Sequence, residues 1–210
     1  MSQEVGSKDE IVIVDDDPGV RETLSLIFSR EGYEVTCFAD GASFLAAARM
    51  RVPACILLDV YIPGRSGLDI LKDLNAEDYP APVFIISGQG DIPMAVDAIR
   101  HGALDFIEKP FSGTGVAARV RDAIAAWRSR LGEQPVEPVS LEFTGRKPLT
   151  QRESEVLAQL LTGASNKEVA RHLGISPRTI EIHRAHIMDK LGAKNAADLV
   201  RIVMSERRGS

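Results

Sequence analysis

In the segment Ile11-Val12-Ile13-Val14-Asp15-Asp16-Asp17, four apolar residues are followed directly by three acids. Three further strand-like runs also end in polar residues: 55–58 lead into Asp59, 83–86 into Ser87 and 104–108 into Lys109-Pro110. Continuous apolar runs of about four residues, separated by helix-length segments, are typical of buried parallel strands. Because the carboxyl ends of such strands meet at one edge of an open sheet, we expect these polar residues to lie close together.

The residues around these runs alternate between strand-like and helix-like patterns five times. We predict strands at 11–14, 34–37, 54–58, 82–86 and 104–107, and helices at 18–31, 41–50, 66–74, 91–101 and 113–130. Pro18 suits the first turn of a helix, and Gly32 suits its end. Regular alternation with right-handed crossovers predicts an α/β domain over residues 1–130, a flavodoxin-like, doubly wound parallel sheet of five strands.

The remainder of the chain has a different pattern. Glycines and prolines interrupt any periodicity over residues 131–148, which we predict to be a linker. Residues 149–210 have the pattern of four helices: Thr150 and Glu153 form a capping-box signature, Asn166 opens a short helix, and Ser176-Pro177 start a longer one. We therefore predict a second, small all-α domain at 149–210.

Charge is divided unevenly between the two parts. Residues 1–127 carry 11 basic and 20 acidic side chains, a net charge of −9, whereas residues 128–210 carry 14 basic and 10 acidic ones, a net charge of +4. An acidic front and a basic back favour contact of the back with nucleic acid.

Cysteines and hydropathy restrict the setting. Cys37 and Cys55 lack CxxC spacing and fall in predicted strands, so we expect buried, inert thiols. Residues 1–10 are polar, and no apolar run approaches ~18 residues. We therefore expect a cytoplasmic protein with no membrane partner.

The predicted edge of the sheet has the chemistry of a metal and phosphoryl site. Asp15, Asp16 and Asp59 would repel one another unless a cation lay among them, and hard carboxylate oxygens suit Mg²⁺. Asp59 can act as a nucleophile, because aspartyl phosphates are an established covalent form. Lys109 can pair with an anion on Asp59, and Ser87 can donate a hydrogen bond to it.

These motifs resemble the receiver domain of two-component response regulators over residues 9–127. The resemblance implies transfer of a phosphoryl group from a sensor histidine kinase to Asp59. It also implies that Asp16, Asp59 and the Tyr61 carbonyl ligate Mg²⁺, that Asp15 binds it mainly through water, and that the Lys109-Pro110 bond is cis. By the same resemblance Ser87 and Phe106 are the hydroxyl and aromatic pair whose inward movement reports phosphorylation.

Two other protein classes share part of the pattern of this domain. A haloacid-dehalogenase-like phosphatase also uses an aspartate nucleophile, but it carries a second aspartate two positions later, where Tyr61 stands here. A nucleotide-binding domain would need a GxGxxG or P-loop motif, which the sequence lacks. Both classes are set aside.

The helix predicted from Ser176 to Leu191 has two faces. At ~100° per residue, Ile180, Ile187 and Leu191 fall on one face, and Ile182 falls roughly opposite, with Arg178, Ala185 and Asp189. We expect Ile182 to point away from the core, where a thymine methyl could cover it, and Glu181 on the flank to accept from cytosine N4.

The all-α part resembles the LuxR-type helix-turn-helix, through Leu149–Glu153, Asn166–Ala170, Gly174–Ser176, Arg178–Arg184 and Lys190–Gly192. The resemblance implies phosphate contacts from Asn166, Lys167, His183 and Arg184. It implies contacts to bases from Arg178, Thr179, Glu181 and Ile182. The last helix, with Ala197, Leu199, Val200 and Val203, would either dimerise this part or close its own core.

A receiver followed by a LuxR-type tail resembles the NarL/FixJ class of regulators, and the residues at 181–185 resemble the FixJ branch. The expected function is a phosphorylation-switched transcription factor, not a metabolic enzyme, whose phosphoryl transfer and slow dephosphorylation are self-catalysed. Its expected partners are the kinase, promoter DNA, a second copy on phosphorylation and, by resemblance, RNA polymerase. The alternative is a constitutive DNA-binding protein whose receiver is a protein-docking module.

Overall fold

The computed structural model describes residues 9–88, 92–132 and 148–206. Its contacts divide the chain into two compact units, Met1–Trp127 and Arg128–Ser210. The predicted linker at 131–148 lies almost wholly outside the described residues, so the linker and the exact domain boundaries stay predictions.

The N-terminal unit alternates strand and helix throughout. Its strands are β1 (Glu10–Val14), β2 (Glu34–Phe38), β3 (Cys55–Asp59), β4 (Val83–Ser87) and β5 (Asp105–Glu108). Its helices are α1 (Pro18–Arg30), α2 (Gly41–Ala48), α3 (Gly67–Leu74), α4 (Ile92–Arg100) and α5 (Gly113–Gly132). All strand pairs are parallel and the order is β2-β1-β3-β4-β5. The predicted five-stranded doubly wound sheet is confirmed.

The core of this unit lies on both faces of the central strands. Every residue of β3 and β4 is buried, which explains their continuous apolar runs. The edge strand β2 has only one neighbour and is half-exposed. Cys55 in β3 is buried as predicted, but Cys37 on β2 is exposed, so the prediction of a buried thiol was wrong there.

The start of α1 shows how local sequence sets the position of the acidic loop. The Asp17 side chain accepts hydrogen bonds from the backbone N–H groups of Gly19 (2.7 Å) and Val20, and Pro18 occupies the first turn. This is an N-cap, which satisfies two otherwise unpaired donors. The predicted end of the helix at Gly32 is also confirmed, since Gly32 has a φ of +93° that disfavours other residues.

The C-terminal unit is helical over its described residues: α6 (Gln151–Leu161), α7 (Asn166–Leu173), α8 (Pro177–Leu191) and α9 (Ala196–Glu206). The predicted capping box between Thr150 and Glu153 is present. Gly174, at a φ of +67°, ends α7, and the Ser176 side chain caps α8. Residues 174–176 therefore form the turn of a helix-turn-helix.

Within the part of the chain that the structure describes, no helix has both the length and the apolar character needed to cross a bilayer.

Candidate acidic site and helix-turn-helix surface

The register of the sheet brings the predicted acidic residues together. Val14 pairs with Leu58 across β1 and β3, so Asp15 and Asp59 emerge side by side at the carboxyl edge. One carboxylate oxygen from each of Asp15, Asp16 and Asp59 lies within 4.8 Å of the others. Asp15 and Asp59 are only 2% and 4% exposed, whereas Asp16 is exposed. The cluster is thus open to solvent on the side of Asp16.

Lys109 ties the two buried carboxylates together. Its Nζ donates to Asp15 Oδ2 and to Asp59 Oδ1, both at 2.8 Å. The Lys109–Pro110 peptide bond is cis, as expected, and the Lys109 N–H donates to the Ser87 carbonyl at 2.7 Å. Burial works to lower the pKa of Lys109, but its bonds to the two carboxylates outweigh burial and raise that pKa, so the side chain is an ammonium cation.

The surroundings of Asp59 disfavour its ionised form on balance. Its Oδ2 accepts from the Tyr61 N–H at 2.7 Å, and Oδ1 accepts from Lys109. Burial, with the neighbouring Asp15 charge adding to it, raises the pKa of Asp59 above its ordinary value although both donors act to lower it. Three carboxylates and one ammonium group leave uncompensated negative charge, which a divalent cation would relieve.

The donor set fits a hard divalent cation. Asp16 supplies a carboxylate that makes no hydrogen bond to any other described residue, and Asp15 and Asp59 supply further oxygens at the same place. Carboxylate oxygens with room for water are the ligands that Mg²⁺ uses in proteins. The chemistry and the convergence of Asp15, Asp16 and Asp59 therefore fit Mg²⁺.

The two expected switch residues lie on adjacent strands. Ser87 is fully buried at the end of β4, where its hydroxyl lies 4.0 Å from Met94 Sδ, and Phe106 is buried on β5. The ladder pairs Ile85 with Phe106 and Ser87 with Glu108. Phe106 thus lies on the strand that leads into Lys109, and Ser87 lies at the end of the neighbouring strand, where its carbonyl accepts from the Lys109 N–H.

Sequence reasoning missed two residues at this edge. The Gly67 N–H donates to the Val60 carbonyl at 2.8 Å, and a Cβ at Gly67 would lie 2.3 Å from the Asp59 carbonyl oxygen. Only glycine lets the start of α3 approach the end of β3 so closely. Arg21 Nη1 donates to the carbonyls of both Asp15 and Asp16, each at 2.8 Å. A long side chain one turn into a helix points back over the preceding loop, which is the signal that could have identified Arg21.

The surface of α8 differs from the prediction at three residues. Thr179, Ile182 and His183 are 1%, 8% and 4% exposed. The expectation that Ile182 points away from the core was wrong. So was the expectation that the Thr179 and His183 side chains are available to DNA. The reason is that α6, α7 and α9 all pack against α8 and bury a wider arc than one apolar stripe would need.

The remaining predicted contact residues form an accessible surface. Arg178, Glu181, Ala185 and Asp189 are exposed along one side of α8, and Arg184 is half-exposed. Lys167 is exposed and Asn166 half-exposed in the first turn of α7. We call the residues Asn166, Lys167, Arg178, Glu181 and Arg184 the helix-turn-helix surface.

His183 is instead part of the core of this unit. Neither ring nitrogen has a hydrogen-bond partner among the residues described. Burial, assisted by the positive charges of Arg152, His186 and Lys190, lowers the pKa of His183 to about 3. The side chain is therefore neutral at physiological pH.

The apolar stripe predicted on α9 is partly buried and partly exposed. Leu199 and Val203 are buried in the core of the C-terminal unit, whereas Val200 and Ala197 are exposed. Met204, one turn beyond Val200, is exposed as well.

Each of the two units matches a known protein family. Residues 11–121 match the family model of the response regulator receiver domain, and residues 147–203 match that of bacterial regulatory proteins of the luxR family. The first match alone spans more than half of the chain. The chain therefore belongs to the response regulators, in the class of transcription regulators that joins a receiver domain to a LuxR-type DNA-binding domain.

Within that class the chain is similar to FixJ proteins. It is 38% identical to the transcriptional regulatory protein FixJ of Bradyrhizobium diazoefficiens over 94% of this chain and 96% of that protein. It is 40% identical to the C4-dicarboxylate transport transcriptional regulatory protein DctR of Rhodobacter capsulatus, over 90% and 96% of the two chains. The crystal structure of full-length FixJ from B. japonicum matches with a TM-score of 0.55 at 35% identity, over 96% and 98% of the chains.

Proposed function

We propose that Asp59 is the phosphoacceptor of a two-component system and receives its phosphoryl group from a sensor histidine kinase. The observation that carries the proposal is the Lys109 ammonium group, which lies 2.8 Å from Asp59 at the edge of an acidic cluster. An oxygen of Asp59 attacks the phosphorus, and the P–N bond to the kinase histidine breaks with its electron pair leaving on the imidazole. Lys109 and the Ser87 hydroxyl stabilise the charge that collects on the phosphoryl oxygens.

Asp16, Asp59 and the Tyr61 carbonyl would hold Mg²⁺ directly, and Asp15 would hold it through water. When bound, the ion neutralises phosphoryl oxygens during the transfer and the slow later hydrolysis. The exposed carboxylate of Asp16 beside the buried Asp15 and Asp59 supports this assignment. Ser87 and Phe106 lie buried on neighbouring strands, which supports their joint movement on phosphorylation.

The output of the switch is binding to promoter DNA in the cytoplasm. Asn166 and Lys167 would contact phosphates at the start of α7, where backbone N–H groups also favour anions. Arg184 would contact phosphates from α8, and Arg178 and Glu181 would approach base edges from its exposed side. The exposed Val200 and Met204 support dimerisation through α9, and two copies would place two α8 helices about 34 Å apart on DNA. RNA polymerase is the further partner that this output requires.

The proposal is tested with the full chain, with and without acetyl phosphate and MgCl₂, by measuring DNA affinity and molecular mass. Wild type should gain affinity and double its mass. Asp59→Asn should do neither, while Asp122→Asn, an equal charge change at an exposed position on α5, should behave as wild type. Equal gains in Asp59→Asn and wild type would refute Asp59 as the acceptor.

No change in either chain, with Asp59 shown to be phosphorylated, would instead mean that the receiver signals by docking to another protein.

A further inference from the structure

The three carboxylates of the acidic cluster are not held in the same way. Asp15 accepts from Lys109 Nζ through Oδ2 and from the Asp17 N–H through Oδ1, at 2.8 and 2.9 Å. Asp59 accepts from Lys109 and from the Tyr61 N–H. The Asp16 carboxylate has no such anchor among the described residues, and it is exposed. The position of Asp16 therefore depends on its backbone.

Arg21 is the side chain that holds that backbone. Its Nη1 donates to the carbonyls of Asp15 and Asp16 at 2.8 Å each, from one turn inside α1. The Arg21 N–H in turn bonds the Asp17 carbonyl at 3.1 Å, so the base of the side chain is fixed by the helix. The guanidinium group thus fixes two consecutive peptide groups in the one stretch that carries Asp15 and Asp16.

We infer that Arg21 is a positioning residue for the cation site: by clamping the Asp15 and Asp16 carbonyls, it keeps the Asp16 carboxylate directed at the position between Asp15 and Asp59. The inference rests on the proposed binding of Mg²⁺ by this cluster. Groups that orient metal ligands typically contribute a factor of about 10 to 100 in metal affinity.

Removal of Arg21 should change the Mg²⁺ affinity in opposite directions, depending on whether Arg21 acts through its charge or by positioning Asp16. A guanidinium cation near a cation site repels the ion, so if Arg21 acted only through its charge, its removal would tighten Mg²⁺ binding. If Arg21 acts by positioning Asp16, its removal weakens binding in spite of the lost repulsion. The direction of the change in Kd separates the two.

The experiment is a calorimetric titration of the full chain with MgCl₂. Arg21→Met should raise the Kd about tenfold, and Arg21→Lys, which keeps the charge but not the two-carbonyl clamp, should also weaken binding. Arg30→Met, the same change at an exposed position on the last turn of α1, should leave the Kd within twofold of wild type. In an Asp16→Asn background, Arg21→Met should add much less than its loss in wild type, because both changes disable the same ligand.

The outcomes separate this inference from the proposed function. If wild type takes up no Mg²⁺, the proposed cation site is wrong. If wild type binds and Arg21→Met binds equally or more tightly while its urea unfolding is unchanged, the positioning role is overturned. If Arg21→Met fails to fold, Arg21→Lys decides the question by the same titration.

Discussion

At the scale of single residues, two basic side chains, Lys109 and His183, have opposite charge states in the two units. Lys109 is a half-buried cation that forms ion pairs with two buried carboxylates. His183 is a buried base whose neighbours Arg152, His186 and Lys190 all disfavour its protonation. The resemblance to the LuxR-type helix-turn-helix implied a DNA contact for His183, whereas its burial places it in the core.

The buried His183 predicts acid sensitivity of the C-terminal unit. Unfolded His183 takes up a proton near 6.5, whereas the folded residue does so only near 3. Between these values the unfolded state binds the additional proton, so the free energy of unfolding should fall as pH is lowered from about 6.5 towards about 3. Urea unfolding of the full chain at several pH values would measure this slope.

His183→Asn should flatten that slope, and His172→Asn, at an exposed position on α7, should retain it. Identical slopes for wild type and His183→Asn would contradict the assignment of the acid sensitivity to His183.

At the scale of elements, single side chains determine how helices join the sheet. Asp105 on β5 is fully buried, and Arg119 on α5 donates to its carboxylate and, at 2.8 Å, to the Phe106 carbonyl. In the C-terminal unit, α6, α7 and α9 pack against α8, so that one side of α8 remains exposed to solvent. The first arrangement ties α5 to the backbone of β5 at Phe106, and the second leaves the helix-turn-helix surface exposed.

The ion pair between Asp105 and Arg119 should be needed for the stability of the N-terminal unit. Arg119→Met removes the guanidinium group that donates to the buried Asp105 carboxylate and should cost about 1–3 kcal/mol of unfolding free energy. Arg121→Met, at a more exposed position on the same helix, should cost less than about 0.5 kcal/mol. Urea unfolding followed by Trp127, whose indole N–H donates to the Pro80 carbonyl, reports on this unit.

Adding Asp105→Asn to Arg119→Met should recover part of the lost unfolding free energy, because it removes the buried negative charge. A double variant no more stable than Arg119→Met would show that the lost contact, rather than the buried charge, causes the effect.

Lys167 at the start of α7 should contribute to DNA affinity without contributing to sequence choice. Lys167→Ala should weaken binding to all DNA sequences alike and reduce the dependence of log K on log salt by about 0.9, the value for one phosphate contact. Lys72→Ala removes an exposed lysine from α3 and should leave the salt dependence unchanged. Fluorescence anisotropy with the phosphorylated chain at four salt concentrations would test both, and an unchanged slope in Lys167→Ala would exclude the contact.

At the scale of the whole molecule, the N-terminal unit keeps an acidic cluster that reduces its stability in the absence of a cation. The raised pKa of Asp59 means that folding disfavours its ionised form, so its contribution to stability falls as pH rises above the ordinary carboxyl value of 3.8. Ligand binding to the native state offsets such a cost by an amount that grows with the logarithm of the ligand concentration.

We therefore expect Asp59→Asn to unfold at a higher temperature than wild type at pH 7 without Mg²⁺. Adding MgCl₂ should stabilise wild type, by about 2.7 kcal/mol at a hundredfold excess over Kd, and should stabilise Asp59→Asn far less. Thermal unfolding of the full chain, read through Trp127 fluorescence, measures both. A wild type already more stable than Asp59→Asn without Mg²⁺ would mean that Lys109 fully compensates the cluster.

The sequence was sufficient to predict the order of strands and helices, the parallel sheet, the helix caps and the residues of the acidic cluster. These features are local, because a buried strand, a helix cap and the polar residue after a strand are each encoded by a few adjacent residues. Three features required the folded structure: the exposure of Cys37, the close approach of Gly67 to Asp59, and the hydrogen bonds from Arg21 to the acidic loop. The side of α8 that faces solvent also depends on the folded structure, because α6, α7 and α9 pack around that helix. A helical wheel shows which residues share a face of α8, but it does not show which other helices cover that face.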